Sequence, residues 1–225
     1  MSLRYRCLFL DHDDTAVNSA ASIHYPAHLE ALEVLRPDFP KPTVEDWILA
    51  NFHGIMEYFT ERLCLTPAEL EVEYEIWRRH STSRSPEFFP GFLSAIAEYR
   101  RAGGKVAVIS HSEADVIEAH YREAGIPDAL PDLIFGWSKD ADRRKPSPLP
   151  VREALSAFHL RPEEALIVDD LKPGVLMSQA TGVPAAGAGW AYDIPEIKRY
   201  MRAHTVAYFQ SINEFRSFLI IPDKA

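Results

Sequence analysis

Cys7-Leu8-Phe9-Leu10-Asp11-His12-Asp13-Asp14-Thr15 is an apolar run of four residues that stops abruptly at an acidic cluster. A short apolar run bounded by polar turn residues reads as a strand buried on both faces, as in parallel sheets. Three more runs have this form: Lys105-Val106-Ala107-Val108-Ile109-Ser110, Asp132-Leu133-Ile134-Phe135-Gly136 and Ala165-Leu166-Ile167-Val168-Asp169-Asp170. Pro184-Ala185-Ala186-Gly187 is a weaker fifth, and Thr205-Val206-Ala207-Tyr208-Phe209 a sixth. Helical patterns lie between them. Pro90-Gly91 opens a helix over Phe92 to Arg101, and Gly103-Gly104 closes it. Ser112 caps the next, with Asp115 three residues on and an end near Gly125. A third runs from Pro148 to Phe158, and a fourth opens at Pro173 and ends at Gly182. Strand–helix alternation with short connections predicts an α/β fold, a Rossmann-like parallel sheet with helices on both faces.

One stretch breaks the alternation. From about Ala16 to Phe88 no strand pattern is found. Thr43-Val44-Glu45-Asp46 and Thr66-Pro67-Ala68-Glu69 both read as helix starts, the second a capping box with proline at the first helical position. An all-helical insertion after the first strand predicts a separate unit. We expect residues 1–15 and 89–225 to form the α/β core and residues 16–88 a helical cap domain. The polar joints at Asn18 to Tyr25 and His80 to Pro90 would serve as a hinge.

The chain has 225 residues, enough for its own hydrophobic core without disulfide or metal staples. Its formal net charge of −9 argues against a nucleic-acid or anionic-membrane binder whose affinity comes from bulk charge. No segment approaches the roughly 18 apolar residues of a membrane span, and the apolar run before Asp11 is too short for a secretory leader. The two cysteines, Cys7 and Cys64, form no CxxC or zinc pattern, so a reducing, cytoplasmic compartment is expected. Proline between His24 and His28, with no third ligand nearby, also argues against zinc.

Ligands of parallel α/β sheets bind beyond the carboxyl ends of the strands. Asp11, Asp13, Asp14 and Thr15 follow the first strand, and Ser110, His111 and Ser112 the second. Arg143-Arg144-Lys145 lies shortly after the third, and Asp169 and Asp170 close the fourth. Carboxylates from two strand ends can hold a hard cation such as Mg2+, which prefers oxygen ligands. A lysine and a cation together would offset the charge of a phosphate. A remaining carboxylate is free to act as nucleophile or as acid and base.

These motifs resemble those of the haloacid dehalogenase superfamily. Asp11-x-Asp13-x-Thr15 is similar to its first motif and Val108-Ile109-Ser110-His111-Ser112 to its second. Lys145-Pro146-Ser147-Pro148 resembles the third, and Val168-Asp169-Asp170-Leu171-Lys172-Pro173-Gly174 the fourth. Each is weak alone; four in order at strand ends are strong. The resemblance spans nearly the whole chain and is greatest to the phosphoglycolate phosphatase and β-phosphoglucomutase group, with a type-one helical cap. Two departures stand out: Asp14 replaces a more common glycine, and Gly174 stands where many relatives carry another aspartate.

The resemblance implies a Mg2+-dependent phosphatase acting on a small phosphorylated metabolite through an aspartyl-phosphate intermediate. Asp11 would be the nucleophile and Asp13 the general acid and base. Thr15 would orient the loop, and Ser110 and Lys145 would hold phosphoryl oxygens, with Lys145 also pairing Asp11. Asp11, the Asp13 carbonyl and Asp170 would bind the metal, with Asp169 joining directly or through water. His111 and, in the cap loop Asn51 to Phe59, His53 are candidates to touch substrate. Ser112 reads as a helix cap only, Arg143, Arg144 and Lys172 as surface residues, and Trp47, Tyr58 and Phe59 as cap core. A sugar phosphomutase of the same fold, or a non-catalytic phosphometabolite sensor, would carry the same motifs. Neither the oligomeric state nor the individual substrate follows from the sequence.

Overall fold

The computed structural model describes residues 2–221. In chain order the strands and helices are β1 (Ser2–Leu3), β2 (Cys7–Leu10), β3 (Val17–Asn18), α1 (Tyr25–Leu35), α2 (Val44–Glu57), α3 (Pro67–Ser83), β4 (Glu87–Phe88), α4 (Phe92–Arg101) and β5 (Lys105–Ile109). They continue as α5 (Ala114–Glu123), β6 (Leu133–Phe135), α6 (Leu149–Phe158), β7 (Ala165–Asp169), α7 (Lys172–Thr181), β8 (Ala185–Ala188), α8 (Pro195–His204), β9 (Ala207–Phe209), α9 (Ile212–Leu219) and β10 (Ile220–Ile221).

Six strands form one parallel sheet in the order β6-β5-β2-β7-β8-β9. Cys7 lies beside Lys105 and Ala165, and Leu10 beside Val108 and Val168. The apolar runs are continuous because both faces of the sheet are covered. Leu8, Leu10, Val106, Leu166 and Val168 face one layer, built with Phe92 and Ile96 of α4 and Phe215 and Leu219 of α9. Cys7, Phe9, Ala107, Ile109, Ala165 and Ile167 face the other, built with Val151, Ala154 and Leu155 of α6 and Met177 of α7. The parallel arrangement brings the carboxyl ends of β2, β5 and β7 to one edge. Asp11, Ser110 and Asp169–Asp170 sit at those ends. Among the described residues no helix is long and apolar enough to cross a membrane.

The chain divides into two compact units, Met1–Val17 with Phe88–Ala225, and Asn18–Glu87. Ala16 and Val17 are fully buried in the α/β core, and Phe88 packs against it. The sequence pattern shows no strand between 16 and 88. The structure has two, β3 and β4, which pair with each other where the chain leaves and re-enters the α/β unit. Two residues each are too few to make an alternating pattern.

The helical unit closes on its own core of Leu32, Trp47, Phe59, Leu63 and Leu65. Thr43 with Asp46 and Thr66 with Glu69 form full capping boxes at the starts of α2 and α3. Arg36, just after α1, ties the corner before α3: it donates to Leu63 O and Cys64 O and pairs with Glu69. His28 stacks on Trp47 at 4.2 Å between ring centres, and its Nε2 lies 3.1 Å from the Tyr58 hydroxyl. Burial in this aromatic cage lowers the His28 pKa to about 4. On α3, burial raises the Glu73 carboxyl to about 7.

Candidate active site

The loop after β2 is pinned at both ends. Asp11 N–H donates to Val168 O at 2.9 Å, which carries the β2–β7 pairing one residue past the strand. His12 O then accepts from Ala16 N–H and Val17 N–H, and Asp14 N–H donates to Val17 O at 2.7 Å. This tight turn puts Asp14 at φ 54°, in the left-handed region. A short polar side chain such as aspartate tolerates that region, so Asp14 can stand where glycine is common. The buried Thr15 hydroxyl donates to Asp170 Oδ1 at 3.3 Å.

Asp11, Asp169 and Asp170 converge from the ends of β2 and β7, with one carboxylate oxygen of each within 4.8 Å of the others. All three are buried. Lys145, also buried, lies between two of them: Nζ is 2.8 Å from Asp11 Oδ1 and 2.9 Å from Asp169 Oδ2. The other Asp169 oxygen accepts from Leu171 N–H at 2.9 Å. Burial alone would pull the Lys145 pKa down, but the two carboxylates outweigh it and hold the ammonium above its ordinary range. Burial raises the pKa of Asp11 and of Asp169 despite the lysine. Asp170 is raised furthest, by burial and then by the charges of Asp11, Asp169 and Asp14.

Gly174, in the first turn of α7, explains the second departure. A Cβ there would lie 2.3 Å from Asp169 Cβ and 2.7 Å from its Cγ. Asp169 fills the space a side chain at 174 would need, and from there it reaches Lys145.

Asp13 stands on the other side of the loop, half-buried. Its Oδ2 accepts from Ser112 Oγ at 2.6 Å and from Ser110 Oγ at 3.3 Å. The sequence reading of Ser112 as a helix cap needs correcting: α5 starts one residue later, with Glu113 at the N-cap position, and the Ser112 hydroxyl is turned to Asp13. A capping serine and a serine in a strand-end loop look alike locally; only the fold brings Asp13 within reach. His111 Nε2 lies 2.9 Å from Lys145 O, so it donates there and supports the lysine's backbone. Burial and the Lys145 charge lower its pKa to about 4, leaving the ring neutral. Behind the loop, His12 Nε2 and His120 Nδ1 meet at 3.0 Å in the core.

Two residues the sequence reading missed complete the site. Tyr192 Oη donates to Asp170 Oδ2 at 2.5 Å, and Trp190 Nε1 donates to Thr15 O at 3.0 Å. Both follow β8, where the pattern carries only a weak strand and no motif. Burial and the Asp170 charge push the Tyr192 phenol well above its usual pKa, so it stays a donor.

His53 is exposed in the helical unit, beside Gly54 where α2 kinks at φ 138°. With Glu57, Tyr58 and Arg62 it lines a cavity of about 670 Å³ within that unit. Arg143 reaches Glu153 at 3.4 Å, and Arg144 lies 4.3 Å over the Trp137 ring.

The donor set suits a divalent cation. Three buried carboxylates share a few ångströms of space with the Lys145 ammonium between two of them, and among the described residues this group of possible donors is all carboxylate oxygen, the ligand that Mg2+ favours. The chain is similar to several known proteins. A phosphoglycolate phosphatase of Cupriavidus necator is 24% identical over 199 residues, covering 87% of this chain and 85% of its own. The pyrophosphatase PpaX of Bacillus cereus is 22% identical over 189 residues, covering 84% of this chain and 85% of its own. The crystal structure of CbbY from Rhodobacter sphaeroides in complex with phosphate superposes with a TM-score of 0.71 at 22% identity, over 94% of this chain and 96% of that one. The family model for haloacid dehalogenase-like hydrolases matches residues 8–188. Matched by this model over most of its length, the chain belongs to the haloacid dehalogenase-like hydrolase family.

Proposed function

We propose that this chain is a Mg2+-dependent phosphatase that hydrolyses a small-molecule phosphomonoester through an aspartyl-phosphate intermediate. One observation carries the reading: Asp11, Asp169 and Asp170 converge at two adjacent strand ends with Lys145 between the first two. The relatives named a phosphoglycolate phosphatase and a pyrophosphatase, and the phosphate in the CbbY structure, support it.

In this reading Asp11 attacks phosphorus in line with the leaving oxygen. The new bond joins its carboxylate oxygen to phosphorus while the bond to the leaving oxygen breaks. Asp13 gives that oxygen a proton. Asp13 then takes a proton from water, which attacks phosphorus and frees inorganic phosphate and Asp11. Ser110 and Lys145 hold the equatorial oxygens, where cationic and hydrogen-bonding groups act on developing charge. Asp11, the Asp13 carbonyl and Asp170 would hold Mg2+, which when bound offsets phosphoryl charge. Asp169 has one oxygen on Lys145 and the other on Leu171 N–H, so its role here is to hold the lysine. Thr15 orients the loop through Asp170. The helical unit acts as the cap that selects the substrate, with His53 its candidate contact. The free cysteines fit a cytoplasmic setting.

The test is inorganic phosphate release from an aryl phosphate, with Mg2+ or with EDTA, for the wild type and Asp11→Asn. Turnover that needs Mg2+ and disappears in the variant is expected. Turnover by Asp11→Asn near the wild-type rate overturns the mechanism. Conversion of a sugar phosphate to its isomer without phosphate release would make the protein a mutase instead.

A further inference from the structure

Both oxygens of Asp170 are already gripped. Thr15 Oγ1 donates to Oδ1 at 3.3 Å and Tyr192 Oη to Oδ2 at 2.5 Å. Thr15 is itself fixed, its backbone carbonyl accepting from Trp190 Nε1 at 3.0 Å. Trp190 and Tyr192 therefore reach, from one three-residue segment after β8, to the loop after β2 and to the carboxylate after β7. The segment has a firm base. Trp190 packs on Phe215, 5.7 Å between ring centres. The Tyr208 ring lies so close to Gly187 and Gly189 that a Cβ at either would come within 2.6 Å and 2.2 Å of it. A carboxylate on a buried loop could turn about its own χ angles; one held from both oxygens cannot.

We propose that the Trp190–Tyr192 segment is a positioning brace for the cation site, with Tyr192 fixing the plane of the Asp170 carboxylate and Trp190 fixing Thr15 behind it. Partners that orient a ligating carboxylate typically change metal affinity about 10–100-fold when removed. The proposal rests on the reading of Asp170 as a metal ligand. Its chemistry is hydrogen bonding alone: the Tyr192 hydroxyl donates to one Asp170 oxygen, no bond forms or breaks, and Asp170 keeps lone pairs for the cation.

The test is calorimetric titration of Mg2+ into the metal-free full chain, without substrate, for the wild type, Asp170→Asn, Tyr192→Phe and Trp190→Phe. Melting in EDTA reports whether each variant folds, and the two brace variants break different hydrogen bonds, so either can carry the test. The expected result is that the wild type binds, Asp170→Asn does not, and Tyr192→Phe binds about tenfold more weakly, with Trp190→Phe weakened less. The Mg2+ concentration that half-activates phosphate release should rise by the same factors, and excess Mg2+ should restore turnover, which a merely structural lesion would not allow. Wild-type or tighter Mg2+ affinity in the folded brace variants, with Asp170→Asn still defective, overturns the brace and leaves the metal site standing. No Mg2+ binding by the wild type, or full binding by Asp170→Asn, removes the metal reading and the brace with it.

Discussion

The Ser112 hydroxyl donates to Asp13 Oδ2 at 2.6 Å, across the gap between the loops that follow β5 and β2. Asp13 is the proposed acid and base, and this contact aims its carboxyl. A hydrogen bond to a charged group contributes about 1.5–3 kcal/mol. Ser112→Ala should therefore lower kcat about tenfold or more with little change in KM. Ser112→Thr, which keeps the hydroxyl, should recover most of it. Steady-state kinetics on an aryl phosphate check this; an unchanged kcat in Ser112→Ala would mean that Asp13 needs no such restraint.

Lys145 is the bridging cation between Asp11 and Asp169. Lys145→Met should abolish turnover and destabilise the α/β unit, since breaking a buried pair from one side costs about 3–5 kcal/mol. The loss should grow with pH. Without the lysine, burial raises the pKa of both carboxyls further, so stability falls as pH climbs and they ionise. Urea unfolding at pH 5 and pH 8 measures the difference. A deficit equal at both values would show that the two carboxylates do not depend on Lys145.

Gly174 leaves room for Asp169. Gly174→Ala puts a methyl group within 2.3 Å of Asp169 Cβ, so either α7 or Asp169 must move. Overpacking of this kind costs about 1–3 kcal/mol, and the displaced carboxylate should release Lys145. Loss of both activity and thermal stability is expected; wild-type behaviour would mean that α7 shifts without disturbing the lysine.

In the helical unit a buried and a half-buried group act on stability in opposite senses. His28, lowered to about 4 from an ordinary 6.5, is protonated more readily in the unfolded chain, so stability rises with pH between 4 and 6.5. Glu73, raised to about 7 from an ordinary 4.5, holds its proton longer in the folded chain, so stability falls between 4.5 and 7. The slopes are each about 1 kcal/mol per pH unit and cancel where they overlap. His28→Phe should leave only the falling slope and Glu73→Gln only the rising one. Hydrogen exchange of α1–α3 amides across pH 4.5 to 6.5 reads this directly; a flat profile in both variants would refute the assignment.

What the sequence made legible was local. The runs at 7–10, 106–109 and 165–168 are apolar throughout because both sheet faces are covered, and that continuity announces the parallel sheet. Asp11, Lys145, Asp169 and Asp170 were readable because each sits at or near a strand end in a short motif. Ser112, Trp190 and Tyr192 were not. Ser112 meets a partner 99 positions away and Trp190 one 175 away. Such contacts leave no mark on local spacing, since nothing in the order of residues says which loop a hydroxyl or indole will face. Tyr192 is 22 residues from Asp170 with a helix and a strand between them, and it too comes into place only once α7 and β8 have formed.

The Tyr208 ring occupies the volume that side chains at 187 and 189 would need. These three positions are therefore one inheritance unit. A first substitution at either glycine collides with an aromatic ring, and a smaller residue at 208 leaves a hollow beneath the Trp190–Tyr192 segment. Change here has to come in pairs or larger sets, so among descendants of this chain the trio should be kept whole or exchanged together.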